Sequence, residues 1–148
     1  MLTYKQAKKE DHHTILTIWE KSVRHTHFFL KEEDILFYRN VIPNHLDAVN
    51  LKLWFNEETV VGFSGSSDTN LDMLFLDDIA IGKGYGSFIL NWLIKNEGIE
   101  LIDVNSQNKT AKSFYLAHGF EKVSEDEQDG FGKPYPITHL KLTNREAF

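Results

Sequence analysis

The sequence contains no cysteine, and this absence removes three kinds of chemistry at once. Without thiols the chain has no disulfide framework, no thiolate metal site and no cysteine nucleophile. A chain without cysteine also suits a reducing compartment, so we expect a cytoplasmic protein.

Long hydrophobic runs are missing as well. No stretch approaches the roughly 18 consecutive apolar residues that a membrane-spanning helix needs. The segment from Leu2 to Asp11 is charged and alternating, unlike the apolar centre of a signal peptide. We therefore expect no signal peptide and no membrane association.

Positive charge is in deficit, with 16 Lys and Arg against 22 Asp and Glu, a formal net charge of −6. Nucleic-acid binders normally carry a concentrated basic face, so we expect no nucleic-acid partner. An acidic surface mildly favours cationic partners such as amines. The 148 residues are 41% hydrophobic and 26% charged, which predicts one globular domain over residues 1–148.

Hydrophobic patterning predicts the order β-α-α-β-β-β-loop-α-β-α-β-β. A first strand is expected from Leu2 to Ala7, a helix capped by Asp11, and a second helix from Glu32 to before Pro43. A hairpin at 51–63, a strand at 71–76, a helix at 88–94, a strand at 99–104, a helix capped by Asn108 and strands at 120–123 and 137–142 follow. Antiparallel strands followed by a βαβ unit predict an α/β (α+β) fold with a mixed central sheet and helices on both faces.

The loop Ile81-Gly82-Lys83-Gly84-Tyr85-Gly86-Ser87 joins the strand at 71–76 to the next helix. A glycine-rich turn that opens into a helix points unpaired N–H groups outward at the positive end of the helix dipole. This arrangement is typical of a phosphate or pyrophosphate site. A simple connecting turn is the alternative.

Two known phosphate-binding motifs have glycines at a similar spacing. The segment is not a Walker A loop, because no Gly-Lys-Ser/Thr stands at the required interval. It comes near the dinucleotide fingerprint G-x-G-x-x-G, with Ser87 in place of the third glycine and Asp103 roughly 20 residues further on. Against that interpretation, the loop lies in mid-chain after an antiparallel hairpin.

A second motif accompanies the glycine loop. Residues 108–120 read Asn-Lys-Thr-Ala-Lys-Ser-Phe-Tyr-Leu-Ala-His-Gly-Phe, and an apolar Leu74-Phe75-Leu76 precedes the loop. In this order and spacing, the two motifs resemble those of the GNAT superfamily of N-acetyltransferases, over essentially the whole chain. Segments 22–30 and 132–136 are similar to a subgroup of small bacterial members.

The resemblance implies the GNAT acyl-CoA N-acyltransferase fold and acetyl-CoA as cofactor. It implies a cofactor-binding set of Leu74, Phe75, Leu76, Ile81, Gly82, Lys83, Gly84, Tyr85, Gly86, Ser87, Asn108 and Tyr115. The amides of residues 82–87 would hold the pyrophosphate, and the backbone of Phe75 and Leu76 would offer an N–H to the thioester oxygen. Ile81 departs from the family pattern, which has Gln or Arg there, so we expect weaker cofactor binding.

Acetyl transfer to an amine needs a general acid for the leaving thiolate and a route for the amine proton. Tyr115 matches the family's general acid; the alternative is a core tyrosine. For the base, Asp72 lies two residues before Leu74, and His27 has an intrinsic pKa suited to neutral pH. At either position a solvated or structurally hydrogen-bonded side chain is the alternative.

The sequence therefore predicts an N-acetyltransferase that moves an acetyl group from acetyl-CoA to a primary amine by direct transfer in a ternary complex. An acyl-CoA sensor without turnover and a nucleotide-binding protein are the alternatives. The acceptor, a small molecule or a peptide, is not specified, and a homodimer is left open. We expect no metal site, because the pairs His12 and His13, and His25 and His27, lack ligand spacing.

Overall fold

The structure, a computed structural model, describes residues 1–143. Its element order is the predicted one. The strands are β1 (Thr3–Gln6), β2 (Asn50–Asn56), β3 (Thr59–Ser67), β4 (Asn70–Leu76), β5 (Leu101–Asn105), β6 (Phe120–Asp126) and β7 (Ile137–Leu142). The helices are α1 (His12–Thr26), α2 (Glu32–Leu46), α3 (Tyr85–Glu97) and α4 (Lys109–Ala117). None of these helices has the length and apolar character needed to cross a membrane.

The seven strands form one mixed sheet in the order β1-β2-β3-β4-β5-β7-β6. All neighbours are antiparallel except β4 and β5, which run parallel and pair only at Asn70 with Leu101 and at Leu71 with Ile102. Beyond those two pairs β4 continues to Leu76 and β5 to Asn105, so the two strands separate. The sheet therefore contains a gap at the carboxyl ends of its two central strands.

Two apolar layers cover the sheet, as the predicted fold class requires. Helices α3 and α4 pack on one face, where Leu90 and Leu93 are fully buried. Helices α1 and α2 pack on the other face, with Ile15 and Phe63 at the centre of that layer. The side chains of β4 alternate between the layers: Leu74 and Leu76 face α3 and α4, while Met73 and Phe75 face α1 and α2.

The capping residues predicted for the helices can be compared with the structure. Asn108 caps α4, its Oδ1 accepting from the N–H of Ala111 at 3.2 Å, and Gly119 takes the predicted left-handed conformation with φ of 88°. Asp11 does not cap α1: its carboxylate accepts from the nearer N–H of Lys8 at 2.9 Å.

Helix α2 continues through Pro43, which removes only that residue's N–H from the ladder. Helix α3 begins three residues before the predicted start and ends three residues later.

A buried ion pair fastens α3 to the sheet. Lys52 on β2 is 5% exposed, and its ammonium contacts the carboxylate of Glu97 in the last turn of α3. Glu97 also accepts from Ser66 Oγ at 2.8 Å and from Asn50 Nδ2 at 3.2 Å, while the ammonium lies over the ring of Trp92. Since both charges leave water, each depends on the other for compensation.

We predict that Lys52→Met lowers the free energy of unfolding by about 3 kcal/mol, because Glu97 keeps its charge but loses its cation. Urea unfolding followed by circular dichroism measures this. The control is Lys5→Met, which removes the half-exposed pair with Asp11 and should cost less than about 1 kcal/mol. Equal losses in the two variants would contradict the prediction.

Candidate active site

The gap between β4 and β5 opens into a first cavity of about 320 Å³, here called the loop cavity. The end of β4, the glycine loop, the start of α3 and one face of α4 line it, and α1 closes it with Ser22, Thr26 and His27. Every residue predicted to bind the cofactor lines this cavity except Lys83. The structure thus brings residues from three distant parts of the chain to one wall.

The glycine loop has the backbone that its composition predicts. Gly82 and Gly84 have φ of 83° and 80°, a region that disfavours other residues, and no atom lies within 4 Å of where a Cβ would stand at either one. Gly84 also caps α3, and no side chain satisfies the first amides of that helix. Gly86 is close-packed, with the ring of Phe114 3.4 Å from the position of its missing Cβ. The loop therefore presents backbone N–H groups to open space.

Position 81 contributes no polar group to this cavity. Ile81 is 53% exposed, and its apolar side chain lines the entrance. The nearby carboxylates of Asp77 and Asp78 pair with Lys21 at 3.8 and 3.5 Å. Any anion held here is bound by the loop's backbone without help from a side chain at position 81.

Tyr115 lies on the inner face of α4 and is 7% exposed. Its ring packs against Phe114 and Phe120, and its hydroxyl has no hydrogen-bond partner among residues 1–143. Burial raises the pKa of Tyr115 well above its ordinary value, so the phenol stays protonated near neutral pH. The hydroxyl is therefore a free proton donor at the end of the loop cavity.

A second cavity of about 510 Å³, here called the apolar cavity, lies on the other side of the β4 end. Its walls come mainly from α1, α2 and β4 and include Trp19, Val23, Ile42 and Met73. A small chamber of about 90 Å³ lies between β4 and β5 and reaches Tyr115. Phe75 and His27 line all three spaces, so the cavities meet at these two residues.

His27 follows the last turn of α1 and is 9% exposed. Its N–H donates to the carbonyl of Val23 at 2.7 Å, and its Nδ1 lies 2.7 Å from the hydroxyl of Thr26. Burial lowers the pKa of His27 to about 4, so the ring is neutral near pH 7. The structure therefore places a neutral imidazole where the cavities meet.

Asp72 is the extra residue of a β-bulge in β4, where Gly65 pairs with Met73 but Ser66 pairs with Leu71. It lines the apolar cavity and the small chamber but not the loop cavity. Each carboxylate oxygen already accepts a hydrogen bond at 2.6 Å, from Ser67 Oγ and from Asn70 Nδ2. Of the two proposed bases, only His27 borders both large cavities.

The β6–β7 connection forms an outer wall, none of whose residues was among the predicted site residues. Asp129 organises this loop by accepting from the N–H groups of Phe131 and Lys133 at 2.9 and 3.0 Å, and it also accepts from the hydroxyl of Tyr38 on α2. Asp129 and Phe131 line the apolar cavity. The chain is acidic at 125–129, and of these residues Glu125 and Asp126 belong to β6 and Asp129 to this wall.

A second loop-to-helix contact reinforces that wall. The hydroxyl of Tyr135 donates to Asp34 on α2, and Lys133 Nζ lies 3.1 Å from the same carboxylate. These contacts hold the pKa of Asp34 below its ordinary value, the hydrogen bond from Tyr135 being the main cause. The wall is therefore tied to α2 by two separate carboxylates.

The environment of His139 on β7 favours the charged imidazolium, whereas that of His27 favours the neutral ring. Its Nδ1 lies 2.6 Å from Asp103 and its Nε2 lies 2.7 Å from Asp126. Because both ring nitrogens face carboxylate oxygens, the imidazolium is the favoured form, and these hydrogen bonds raise the pKa of His139.

Comparison with known proteins places this geometry in context. Residues 50–122 match the sequence model of the acetyltransferase (GNAT) domain family. The chain is 30% identical over 141 residues to a protein named peptidyl-lysine N-acetyltransferase YjaB of Escherichia coli strain K12, covering 95% of this chain and 96% of that one.

Solved structures agree with the sequence comparison. The solution structure of apo YjaB from Escherichia coli superposes with a TM-score of 0.88 at 29% identity, covering 97% of this chain and 99% of the other. The PaiA N-acetyltransferase of Thermoplasma acidophilum, solved with coenzyme A, shares the fold with a TM-score of 0.68 at 21% identity, covering 95% and 99%.

The two histidines predict opposite effects of pH on stability. The pKa of His27 is lower in the folded than in the unfolded chain, so its contribution is complete above about pH 6.5 and is lost as pH falls towards about 4. His27→Asn should remove an acid-dependent loss of about 2 to 3 kcal/mol and flatten the curve. Urea unfolding between about pH 7 and pH 4.5 measures it.

His139 is the matched control, because its pKa is raised in the folded state. Its stabilisation is present below about pH 6.5 and is lost as pH rises through the folded pKa. His139→Asn should therefore make the acid-dependent loss steeper. Parallel curves for the wild type and both variants would contradict this assignment.

Proposed function

This chain belongs to the GNAT family of acetyltransferases, and from that membership we propose that it moves acetyl groups from acetyl-CoA to the ε-amino groups of lysine side chains in peptides or proteins. One observation carries the proposal: the loop cavity and the apolar cavity meet at Phe75 and His27, with the Tyr115 hydroxyl beside that junction. A donor bound in one cavity and an amine bound in the other would come together there.

The loop cavity fits acetyl-CoA. Open space beside Gly82 and Gly84 lets a pyrophosphate approach the backbone, where the first amides of α3 and the helix dipole favour an anion. Bound there, acetyl-CoA supplies the thioester carbonyl that is attacked and the thiolate that leaves. Lys83 lies off the cavity wall and adds only its charge to the surroundings.

The end of β4 supplies oxyanion donors by strand alternation. The N–H of Asp77 donates to Val61 on β3 at 2.8 Å, so the antiparallel ladder turns the amide of Phe75 towards β3 as well. The amides of Leu74 and Leu76 then point away from β3, into the gap. We therefore assign the proposed oxyanion role to the amide of Leu76, as the sequence predicts, and to that of Leu74, but not to the amide of Phe75, which faces β3.

The remaining chemistry is proton transfer. As the new C–N bond forms and the C–S bond breaks, the amine must lose a proton and the sulfur must gain one. Tyr115, kept protonated by its raised pKa, donates to the thiolate. His27 is the better-placed acceptor of the amine proton, because it borders both large cavities, whereas Asp72 does not line the loop cavity.

The apolar cavity suits a lysine side chain as acceptor. Its aliphatic and aromatic walls match the four-carbon stem, and the YjaB relative is named a peptidyl-lysine N-acetyltransferase. The joined cavities support direct transfer, because a donor in one cavity and an amine in the other could react without an acyl-enzyme. We place this activity in the cytoplasm, in a single domain acting alone or as a homodimer.

An acyl-CoA sensor without turnover is the second candidate, favoured by the apolar side chain at position 81. The deciding assay mixes purified protein, acetyl-CoA and a lysine peptide, and detects the acetylated product by mass spectrometry. Binding of acetyl-CoA without product from any amine would support the sensor. Absence of binding would reduce the assignment to the fold.

We predict that Tyr115→Phe lowers kcat at least about 100-fold, because the leaving thiolate loses its proton donor. The Kd for acetyl-CoA, measured by calorimetry, should change less than about twofold, since the ring still fills the cavity wall. Tyr4→Phe is the control, because Tyr4 packs on Trp54 and Trp92, away from the cavities. Unchanged turnover in Tyr115→Phe would remove this residue from the mechanism.

We predict that Ile81→Arg tightens acetyl-CoA binding about fivefold, because it adds one charge-assisted contact to a pyrophosphate now held by backbone alone. Ile79→Arg is the matched control: Ile79 is also exposed and lies in the same turn, but it does not line the cavity. Equal tightening in both variants would indicate general charge attraction instead of a contact at position 81.

A further inference from the structure

The hydroxyl of Thr26 makes two hydrogen bonds whose directions are fixed by chemistry. Its Oγ1 lies 2.7 Å from the carbonyl oxygen of Ser22 and 2.7 Å from Nδ1 of His27. A carbonyl oxygen only accepts, so the single hydroxyl hydrogen of Thr26 goes to Ser22. The hydrogen between Thr26 and His27 must then come from Nδ1 of the ring.

The other ring nitrogen follows from this assignment. A neutral imidazole carries one hydrogen on its two nitrogens. With that hydrogen on Nδ1, the Nε2 atom holds an unshared electron pair. No residue of the described chain, 1–143, hydrogen-bonds to Nε2. The backbone N–H of His27 anchors the residue by its hydrogen bond to Val23, and its ring packs on Phe29 with the ring centroids 5.1 Å apart. The residue lines all three cavities.

We propose that Thr26 is a positioning residue that holds His27 in the Nδ1–H form, so that Nε2 accepts a hydrogen of the acceptor amine and takes its proton as the C–N bond forms. The proposal rests on the acetyltransferase function above. The lysine ammonium first loses one proton to solvent, and from the neutral amine the proton balance closes: His27 gains the amine proton, Tyr115 gives one to sulfur, and the imidazolium then returns a proton to the phenolate through solvent.

The opposite tautomer would block the reaction. An N–H on Nε2 would donate to the unshared pair of the amine, which is the electron pair that must attack the thioester carbon. Burial keeps the ring from charging, so the choice between the two neutral forms is left to the neighbour of Nδ1. Among residues 1–143 the neighbour of Nδ1 is Thr26, which makes that choice through the bond that Ser22 directs.

Activity measurements on Thr26→Val and Thr26→Ser test the proposal. Valine keeps the shape but removes the hydroxyl, so kcat with a lysine peptide should fall about tenfold or more while the Kd for acetyl-CoA holds within about twofold. Serine keeps the hydroxyl and should recover most of the rate lost in the valine variant. Equal rates for the two variants would overturn the proposal.

Nitrogen-15 NMR of the histidine rings reads the tautomer without any activity. The wild type should show His27 with Nδ1 protonated and Nε2 bare, assigned by loss of the signals in His27→Asn, and Thr26→Val should shift it towards the Nε2–H form. His118 is the internal control, since its Nδ1 faces the carbonyl of Phe114 at 2.7 Å and its Nε2 faces Ser87 Oγ at 2.9 Å. Its signals should not move.

The two measurements separate the two proposals. A wild type with Nε2–H at His27, or a tautomer unchanged in Thr26→Val, overturns the role of Thr26 whatever the enzyme does. A wild type that acetylates no amine overturns the proposed function, even with the tautomer as expected.

Discussion

The early separation of β4 from β5 is the constraint on which the other features depend. Parallel strands normally continue side by side, but here pairing ends after Leu71 and Ile102. The bulge at Asp72 bends β4 at that point. Strand backbone without a partner must meet water or a ligand, so the gap supplies both the space and the unpaired amides that the proposed acyl transfer would use.

Around that gap, burial keeps uncharged the two side chains that we propose to transfer protons. Burial acts in opposite directions on the two residues, raising the pKa of Tyr115 and lowering that of His27. Both effects favour the uncharged form. Tyr115 and His27 are therefore both uncharged near neutral pH, and neither side chain repels a cationic amine or an anionic cofactor.

Sequence reasoning succeeded where the determinants are local. The element order, the αL glycine at 119 and the cap at Asn108 follow from patterns within a few residues. It erred at Asp11 because the amide of Lys8 competes for the same carboxylate. It missed the pair of Lys52 with Glu97 because such contacts join distant positions that no local pattern relates.

The same limit applies to the candidate site. Motifs predict the glycine loop and Tyr115 as site residues, whereas the parting of the strands, the wall at Asp129 and the direction of the Phe75 amide depend on register and tertiary contact. His27 was nominated for its intrinsic pKa, and burial changes that pKa while leaving the residue at the junction.

The position of β7 has a consequence for how the chain assembles. Although β7 follows β6 in the described chain, it lies between β5 and β6, so β6 has no sheet neighbour until residues 137–142 pair with it. The two strands must therefore join together as a hairpin, carrying the β6–β7 loop with them. The outer wall beside the apolar cavity is therefore completed only when residues 137–142 join the sheet, whereas the glycine loop and α3 precede them in the chain.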